Sequence, residues 1–302
     1  MIKMMKKIII TGATSMIGYA LTEVAVNKGV EVYAIIRPDT MRRNRIIKSP
    51  LVHVVYGLLE NLKEINEIPE DCDVLYHFAW SGTKKTERDN PQIHEKNIKY
   101  ALDAVELAKK CGCHRFIGAG SQAEYGPVDG IIDETTKFNP VTAYGIAKYA
   151  AGILSKKMCE QKGIKHIWGR IFSVYGPHDN EETMLSYAID CFERGETAKF
   201  SAGNQIWNYL YESDAGEMFY RLGLESVNID TCFIASQESK PLREYIETLL
   251  KIYGSETKAE FGTLQNLGLN VNMNMTLNNI SYKPQVKFEE GIKKMIEDMI
   301  KK

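Results

Sequence analysis

The chain has 302 residues, with 38 Lys+Arg against 39 Asp+Glu and a formal net charge of −1, so no global field draws in nucleic acid or an anionic membrane. Hydrophobic residues make up 44 %, enough to bury one large domain or one and a half. No apolar run reaches membrane-spanning length, and the N-terminal Met-Ile-Lys-Met-Met-Lys-Lys runs into Ile8-Ile9-Ile10, too short for a signal segment.

Short β-rich runs alternate with helical patterns. Residues 7–11 read as the first strand and 16–28 as a helix, with Ile17, Ala20, Leu21, Val24 and Ala25 on one stripe. Gly29 closes that helix, and further strands follow at 30–36, 51–56 and 73–79. A helix over 91–110 leads to a strand at 115–118. Another over 142–161 leads to one at 165–172. Such alternation implies right-handed crossovers and an α/β, doubly wound parallel sheet of Rossmann type, which binds ligands at the carboxyl ends of its strands. Past Gly176-Pro177 the rhythm breaks. Helices at 181–195 and 242–253 mix with short strands and an irregular Asn-rich stretch at 266–279. The chain therefore divides into a doubly wound part, 1–172, and a smaller mixed α/β part, mainly 173–302, with some segments free to return to the sheet.

The six cysteines contain no Cys-x-x-Cys and no histidine at ligand spacing. They read as reduced structural thiols of a cytoplasmic protein, with no metal site.

The first strand feeds Thr11-Gly12-Ala13-Thr14-Ser15-Met16-Ile17-Gly18 and then a helix. A helix N-terminus offers free N–H groups and partial positive charge to a pyrophosphate. Gly12 permits the tight turn, Gly18 lets helix and strand approach, and Ser15 is small enough for a phosphate to come close. An ordinary strand–helix turn is the plain alternative. The second strand ends at Ile36 and is followed by Arg37, with Arg42, Arg43 and Arg45 close behind. An arginine there suits the 2′-phosphate of NADP(H), where NAD(H) enzymes tend to carry an acid. NADP(H) is the preferred reading, NAD(H) stays open, and a solvated basic loop is the bland one.

Ser121 follows an apolar run, and Tyr144-Gly-Ile-Ala-Lys148 begins 23 residues later. Tyr144 and Lys148 lie one helical turn apart on one face. An ammonium nearby lowers a phenol's pKa toward catalytic range, and a serine at a strand end can hydrogen-bond a reacting oxygen.

With these residues in place the chain resembles the extended short-chain dehydrogenase/reductases, in particular the nucleotide-sugar epimerase/dehydratase/reductase group, over nearly all its length. The matching segments are the glycine loop, Asp73 to Ala79, Asn97, Ser121 to Gly126, Tyr144 with Lys148, Arg170 to Pro177 and Asn208 to Asp214. The resemblance implies a catalytic Ser121, Tyr144 and Lys148. It implies a cofactor wall of Gly12, Thr14, Ser15, Met16, Ile17, Gly18, Arg37, Leu58, Leu59, Phe78, Ala79, Asn97, Ala119, Ile171 and Ser173, with Tyr144 and Lys148. For the sugar of a nucleoside diphosphate it points to Trp80, Ser81, Ser121, Gln122, Ser173, Tyr211 and Arg243. It further implies a homodimer through a four-helix bundle of the 91–110 and 142–161 helices, whose stripes include Ile98, Ala101, Leu102, Val105, Ala147, Ala151 and Leu154.

The departures are informative. Leu58 replaces an adenine-side aspartate, Ser173 an asparagine, and Trp207 a phosphate-binding arginine, for which Arg243 is the candidate replacement. Dehydratases carry Asp-Glu after the catalytic residue, whereas Gln122 and Ala123 stand here and cannot titrate. Reduction of a 4-keto-6-deoxy sugar is the favoured reaction and NAD-dependent 4-epimerisation the alternative. A non-catalytic cofactor sensor would have no use for the tyrosine–lysine pair.

Overall fold

The computed structural model describes residues 5–254, 258–264 and 268–300. Its centre is a parallel sheet of β1 (Lys7–Thr11), β2 (Glu31–Ile36), β3 (Val52–Tyr56), β4 (Val74–His77), β5 (Arg115–Ser121), β6 (Lys165–Ile171) and β7 (Thr231–Ile234), in spatial order β3-β2-β1-β4-β5-β6-β7. Successive side chains of a strand point to opposite faces, and β1 shows the consequence. Ile8 and Ile10 enter one core, Ile9 the other. The first core is covered by α1 (Met16–Asn27) and α5 (Glu212–Leu222), the second by α2 (Pro91–Lys110) and α3 (Ala143–Lys162). Both sides being dry, the strands need continuous apolar runs, as Ile8 to Ile10 and Val74 to Tyr76 provide.

A second lobe is built by α4 (Met184–Glu193), α6 (Leu242–Tyr253) and α8 (Phe288–Ile300) around Tyr175, Tyr211, Tyr245 and Phe288. It joins the sheet through Ser173–Tyr175, which pairs in parallel with Tyr209–Tyr211. The chain does not stay in that lobe. α5 packs on α1, β7 pairs with β6, and α7 (Asn274–Ile280) lies against β7.

Most boundaries fall within a residue or two of expectation, but three readings change. The strand expected at 115–118 runs to Ser121, because Gly118 and Gly120 lie against an indole: a Cβ would come within 2.1 and 2.4 Å of Trp168. The helix expected at 181–195 is the shorter α4. The irregular stretch expected from 266 begins outside the described residues, and its later part contains α7, where Thr276 accepts the Phe233 N–H at 2.8 Å and Leu277 and Ile280 are buried. Of the helix stripes, Ala101, Val105, Ala147 and Ala151 are buried within this chain, while Leu154 of α3 faces outward, and Ile146 and Ile153, outside the expected stripe, face outward too.

All six cysteines are free and buried. Burial pushes Cys72 up to about 12 and Cys111 to about 11, so neither offers a thiolate near neutrality. Among the described residues, no helix is long and apolar enough to cross a membrane, and no three His, Cys, Asp or Glu side chains are grouped to hold a metal.

Candidate active site

The carboxyl ends of β1 and β4 are in register at Thr11 and His77, and β5, paired there at Gly118, runs on to Ser121. Beyond β1 the chain turns at Gly12, with φ +72°, where a Cβ would stand 2.8 Å from the Ala79 nitrogen. Gly18 is tighter still, its hypothetical Cβ 2.3 Å from the Gly12 carbonyl oxygen. Only glycine fits either place. Ser15 caps α1 by accepting the Gly18 N–H at 3.1 Å, which leaves its own proton free to donate outward. Thr14, Ser15 and Met16 are half-buried at the helix mouth, above buried Ile17. A loop whose backbone opens toward a helix N-terminus fits the pyrophosphate of a dinucleotide. Thr11 ties this loop to β4, its hydroxyl contacting His77 Nδ1 at 2.9 Å and accepting the Ala79 N–H at 3.3 Å. Phe78 packs inward on Phe219, so that only its backbone borders the loop.

At the far edge Arg37 follows β2 with 67 % of its side chain exposed, 3.9 Å from the Asp39 carboxylate. The other three arginines are occupied. Arg43 donates to the Pro38 carbonyl at 2.6 Å, Arg42 to Asn180 at 3.0 Å and Arg45 to the His178 carbonyl at 2.7 Å. Leu58 and Leu59 stand just beyond β3, exposed and half-buried respectively.

Ser121 ends β5, beside Ile171 of β6 in register. Its hydroxyl accepts the Ala123 N–H at 3.2 Å and lies beside the Tyr144 phenol, whose pKa it helps to lower. Its backbone N–H donates to Glu124 at 2.8 Å, and Glu124 also takes the Trp168 indole N–H at 2.9 Å and Arg170 Nε at 2.7 Å. Gln122, half-buried, opens the turn between them. Lys148, one turn along α3 from Tyr144, is 4 % exposed, donates to the Ala119 carbonyl at 2.7 Å and sits 5.7 Å from the Tyr144 ring centre. Burial brings Lys148 down to about 7.

The phenol differs from expectation. Burial holds Tyr144 above its usual value, and the opposing influences are the Arg88 charge and the Ser121 hydroxyl. Lys148 is engaged with the Ala119 carbonyl, and the charge that pulls most on the phenol is that of Arg88. Arg88 escaped the sequence reading. It lies in the 81–90 loop, its guanidinium 4.9 Å from the Tyr144 ring centre and its carbonyl accepting the Tyr144 N–H at 3.0 Å.

That loop is held by Asn97, whose amide accepts the Ser81 N–H and donates to the Ser81 carbonyl, both at 2.9 Å. Asn97 thus orders the site with its side chain occupied. Trp80 is half-buried, its indole N–H donating to His94 Nδ1 at 3.3 Å and its face 3.8 Å below Lys148 Nζ. His94 was also missed. Nothing in its sequence surroundings separates it from other helical polar residues.

In the second lobe a cavity of about 710 Å³ is lined by Phe200, Gln205, Trp207, Tyr209 and Leu242, among others. Gln205 Oε1 and Trp207 Nε1, both buried, have no hydrogen-bond partner in the described structure. Nothing in the spacing of the sequence singles out Tyr209. Tyr211 is instead in the lobe's aromatic core, 5.5 Å from Tyr175. Arg243 donates to the Ala202 carbonyl at 2.9 Å with its guanidinium 3.8 Å over Phe261. Ser173, half-buried, begins the crossing strand opposite Tyr209.

A glycine loop on a helix N-terminus and a Ser–Tyr–Lys group at the same sheet edge define a dinucleotide-dependent short-chain dehydrogenase/reductase. Residues 8–231 match the sequence model of the NAD dependent epimerase/dehydratase family, and the chain belongs to that family, whose members are enzymes acting on nucleotide sugars. It is 21 % identical to the UDP-glucuronate 4-epimerase of Thermodesulfobacterium geofontis, over 95 % of this chain and 94 % of that one. It is 22 % identical to the CDP-abequose synthase of Salmonella typhimurium, over 96 % and 97 %. The crystal structure of the UDP-glucuronic acid 4-epimerase of Bacillus cereus with NAD has a similar fold, with a TM-score of 0.84 at 20 % identity, covering 97 % of this chain and 96 % of that one.

Proposed function

We propose that this enzyme reduces the 4-keto group of a 4-keto-6-deoxy sugar carried on a nucleoside diphosphate, with NADPH as the preferred reductant. The observation that carries this reading over its alternative is the end of β2, where an exposed Arg37 stands in place of a carboxylate. Gln122 and Ala123 add no acid or base beside Ser121. Glu124, the acid in the turn after Ser121, is buried against Arg170, so it is not free to catalyse the elimination of water.

The dinucleotide, when bound, supplies the hydride. Ser121 and Tyr144 hydrogen-bond the C4 oxygen. Tyr144 delivers the proton, and its raised pKa suits an acid that must stay protonated until the alkoxide forms. Arg88 moderates that pKa from across the ring, and Lys148 holds a cofactor hydroxyl while lending positive charge. The nucleotide part lies over the second lobe, mainly residues 173–302. There Phe200, Trp207, Tyr209 and Leu242 line a cavity of about 710 Å³ for an incoming ligand.

A second reading, NAD-dependent 4-epimerisation, is favoured by the relatives and the solved structure named above. Mass spectrometry of the small molecules carried by the purified protein, followed by turnover assays with NADPH and a nucleoside-diphosphate 4-keto-6-deoxy sugar, separates the two. Retained NAD and interconversion of 4-epimers without added cofactor refute the reductase reading. Cofactor binding without turnover of any nucleotide sugar refutes both and leaves a sensor.

The outward Ile146, Ile153 and Leu154 of α3 support a homodimer in which α2 and α3 pair with their copies as a four-helix bundle. Sedimentation as a monomer at micromolar concentration refutes it.

A further inference from the structure

Among the residues around Tyr144, Trp80 stands out because both its edge and its face are occupied. We propose that Trp80, oriented by His94, is a positioning residue that holds the Lys148 ammonium beside Tyr144. This rests on the reading of Lys148 as an acting group.

The geometry is a relay of three rings and one cation. Indole Nε1–H can only donate, so His94 Nδ1 must accept at 3.3 Å, and the imidazole proton sits on Nε2, 3.2 Å from the Glu87 carbonyl. The two rings are nearly parallel, at 26°. Tyr144 presents its ring edge-on to both, 6.1 Å from Trp80 and 5.6 Å from His94. With its plane set in this way, Trp80 turns its face to Lys148 at 3.8 Å, well inside cation–π range. The ammonium is thereby fixed from two sides, by the Ala119 carbonyl and by the indole.

Lys148 needs such support, because burial lowers its pKa to about 7. The groups around it are the Ala119 carbonyl and His77 from the strands, Glu124 from the turn after β5, Arg88 from the 81–90 loop, His94 from α2, and Tyr144. Only Glu124 is an anion, and its carboxylate is bonded to Arg170. The indole face is an uncharged substitute for a counter-ion. A carboxylate at position 80 would hold the lysine charged too, but it would place a second acid beside the phenol and raise it further. The same arrangement explains why the Trp80 N–H is not offered to a sugar.

The test uses the full-length protein and has one arm that needs no turnover. Trp80 emission, taken as the wild-type minus Trp80→Phe difference so that Trp168 and Trp207 cancel, is titrated with pH. The expected result is a step near neutrality that persists in His94→Gln and vanishes in Lys148→Met. A step that survives Lys148→Met belongs to another group, and it overturns the proposal, as does the absence of any step in the wild type. The kinetic arm compares Trp80→Leu with Trp80→Phe. Loss of the cation–π contact moves the alkaline limb of kcat down by about half to one and a half pH units, so activity above that limb falls roughly three- to thirtyfold. The sugar KM is unchanged, and phenylalanine restores most of the activity. A tenfold rise in sugar KM with the limb unmoved makes Trp80 a sugar contact and overturns the proposal. If no nucleotide sugar is turned over, the proposed function fails, while the fluorescence arm still decides this inference.

Discussion

Replacing Glu124 by glutamine removes one charge from the most enclosed ion pair of the site without changing its size. The carboxylate is 0 % exposed and takes three bonds, from the Ser121 N–H at 2.8 Å, the Trp168 N–H at 2.9 Å and Arg170 Nε at 2.7 Å. Glutamine keeps one oxygen for Ser121 and Trp168 but turns an NH₂ toward a guanidinium that has no acceptor. Breaking one side of a buried pair costs about 3–5 kcal/mol. Arg170 retains the Thr231 hydroxyl and the faces of Phe138 at 4.4 Å and Tyr125 at 5.6 Å, which places the expected loss at the lower end, about 3 kcal/mol. Urea unfolding at unchanged slope measures it. The double variant Glu124→Gln/Arg170→Met recovers most of the loss, because removing both charges is close to neutral. A single-variant loss under about 1 kcal/mol refutes the reasoning, since it is no more than an exposed pair contributes. Because the retained glutamine oxygen still accepts the Ser121 N–H, kcat at temperatures below unfolding stays close to wild type while stability falls.

Tyr144→Phe lowers turnover by about 10²–10⁴-fold with cofactor affinity nearly intact, as loss of an acid/base group requires; a variant with half the wild-type kcat removes Tyr144 from the mechanism. Arg37→Ala abolishes a preference for NADPH over NADH. One charge-assisted contact on this exposed side chain is worth about tenfold in kcat/KM, and Arg42, Arg43 and Arg45, held elsewhere, do not compensate. Equal use of both cofactors by the wild type defeats that assignment. Lys148→Met abolishes activity yet stabilises the fold. The folded pKa of Lys148, about 7, lies below its ordinary 10.5, so between these values the unfolded chain holds a proton that the folded chain does not. Wild-type stability therefore rises with pH through this window, and the deficit is full below it. Melting curves that place Lys148→Met below wild type at neutral pH, or show the same pH slope for both, contradict this.

The sequence by itself determined the alternation of strand and helix, because each apolar run and stripe is a local pattern whose period names its element. It also determined the turn at Gly12 and the one-turn spacing of Tyr144 and Lys148, since backbone freedom and helical pitch are local properties. The tertiary structure decided what depends on neighbours distant in sequence. Gly120 and Ser121 look like loop residues until β6 pairs alongside them, with the Trp168 indole filling the space above Gly120, and makes them strand. The 274–280 segment has little helical signal and is helical because β7 offers it a buried face. Residues 231–234, past the break in rhythm, return to the sheet because β6 leaves an edge to be paired. In the site, Ser121, Tyr144 and Lys148 were legible as a set, whereas Arg88 and His94 were not. Their effect on the phenol and on Trp80 comes from distances of a few ångströms, set by how the 81–90 loop and α2 pack beside α3. The pKa of Tyr144 is not legible in the sequence for the same reason: spacing along a helix fixes which groups are neighbours, but burial decides which neighbour's charge is felt.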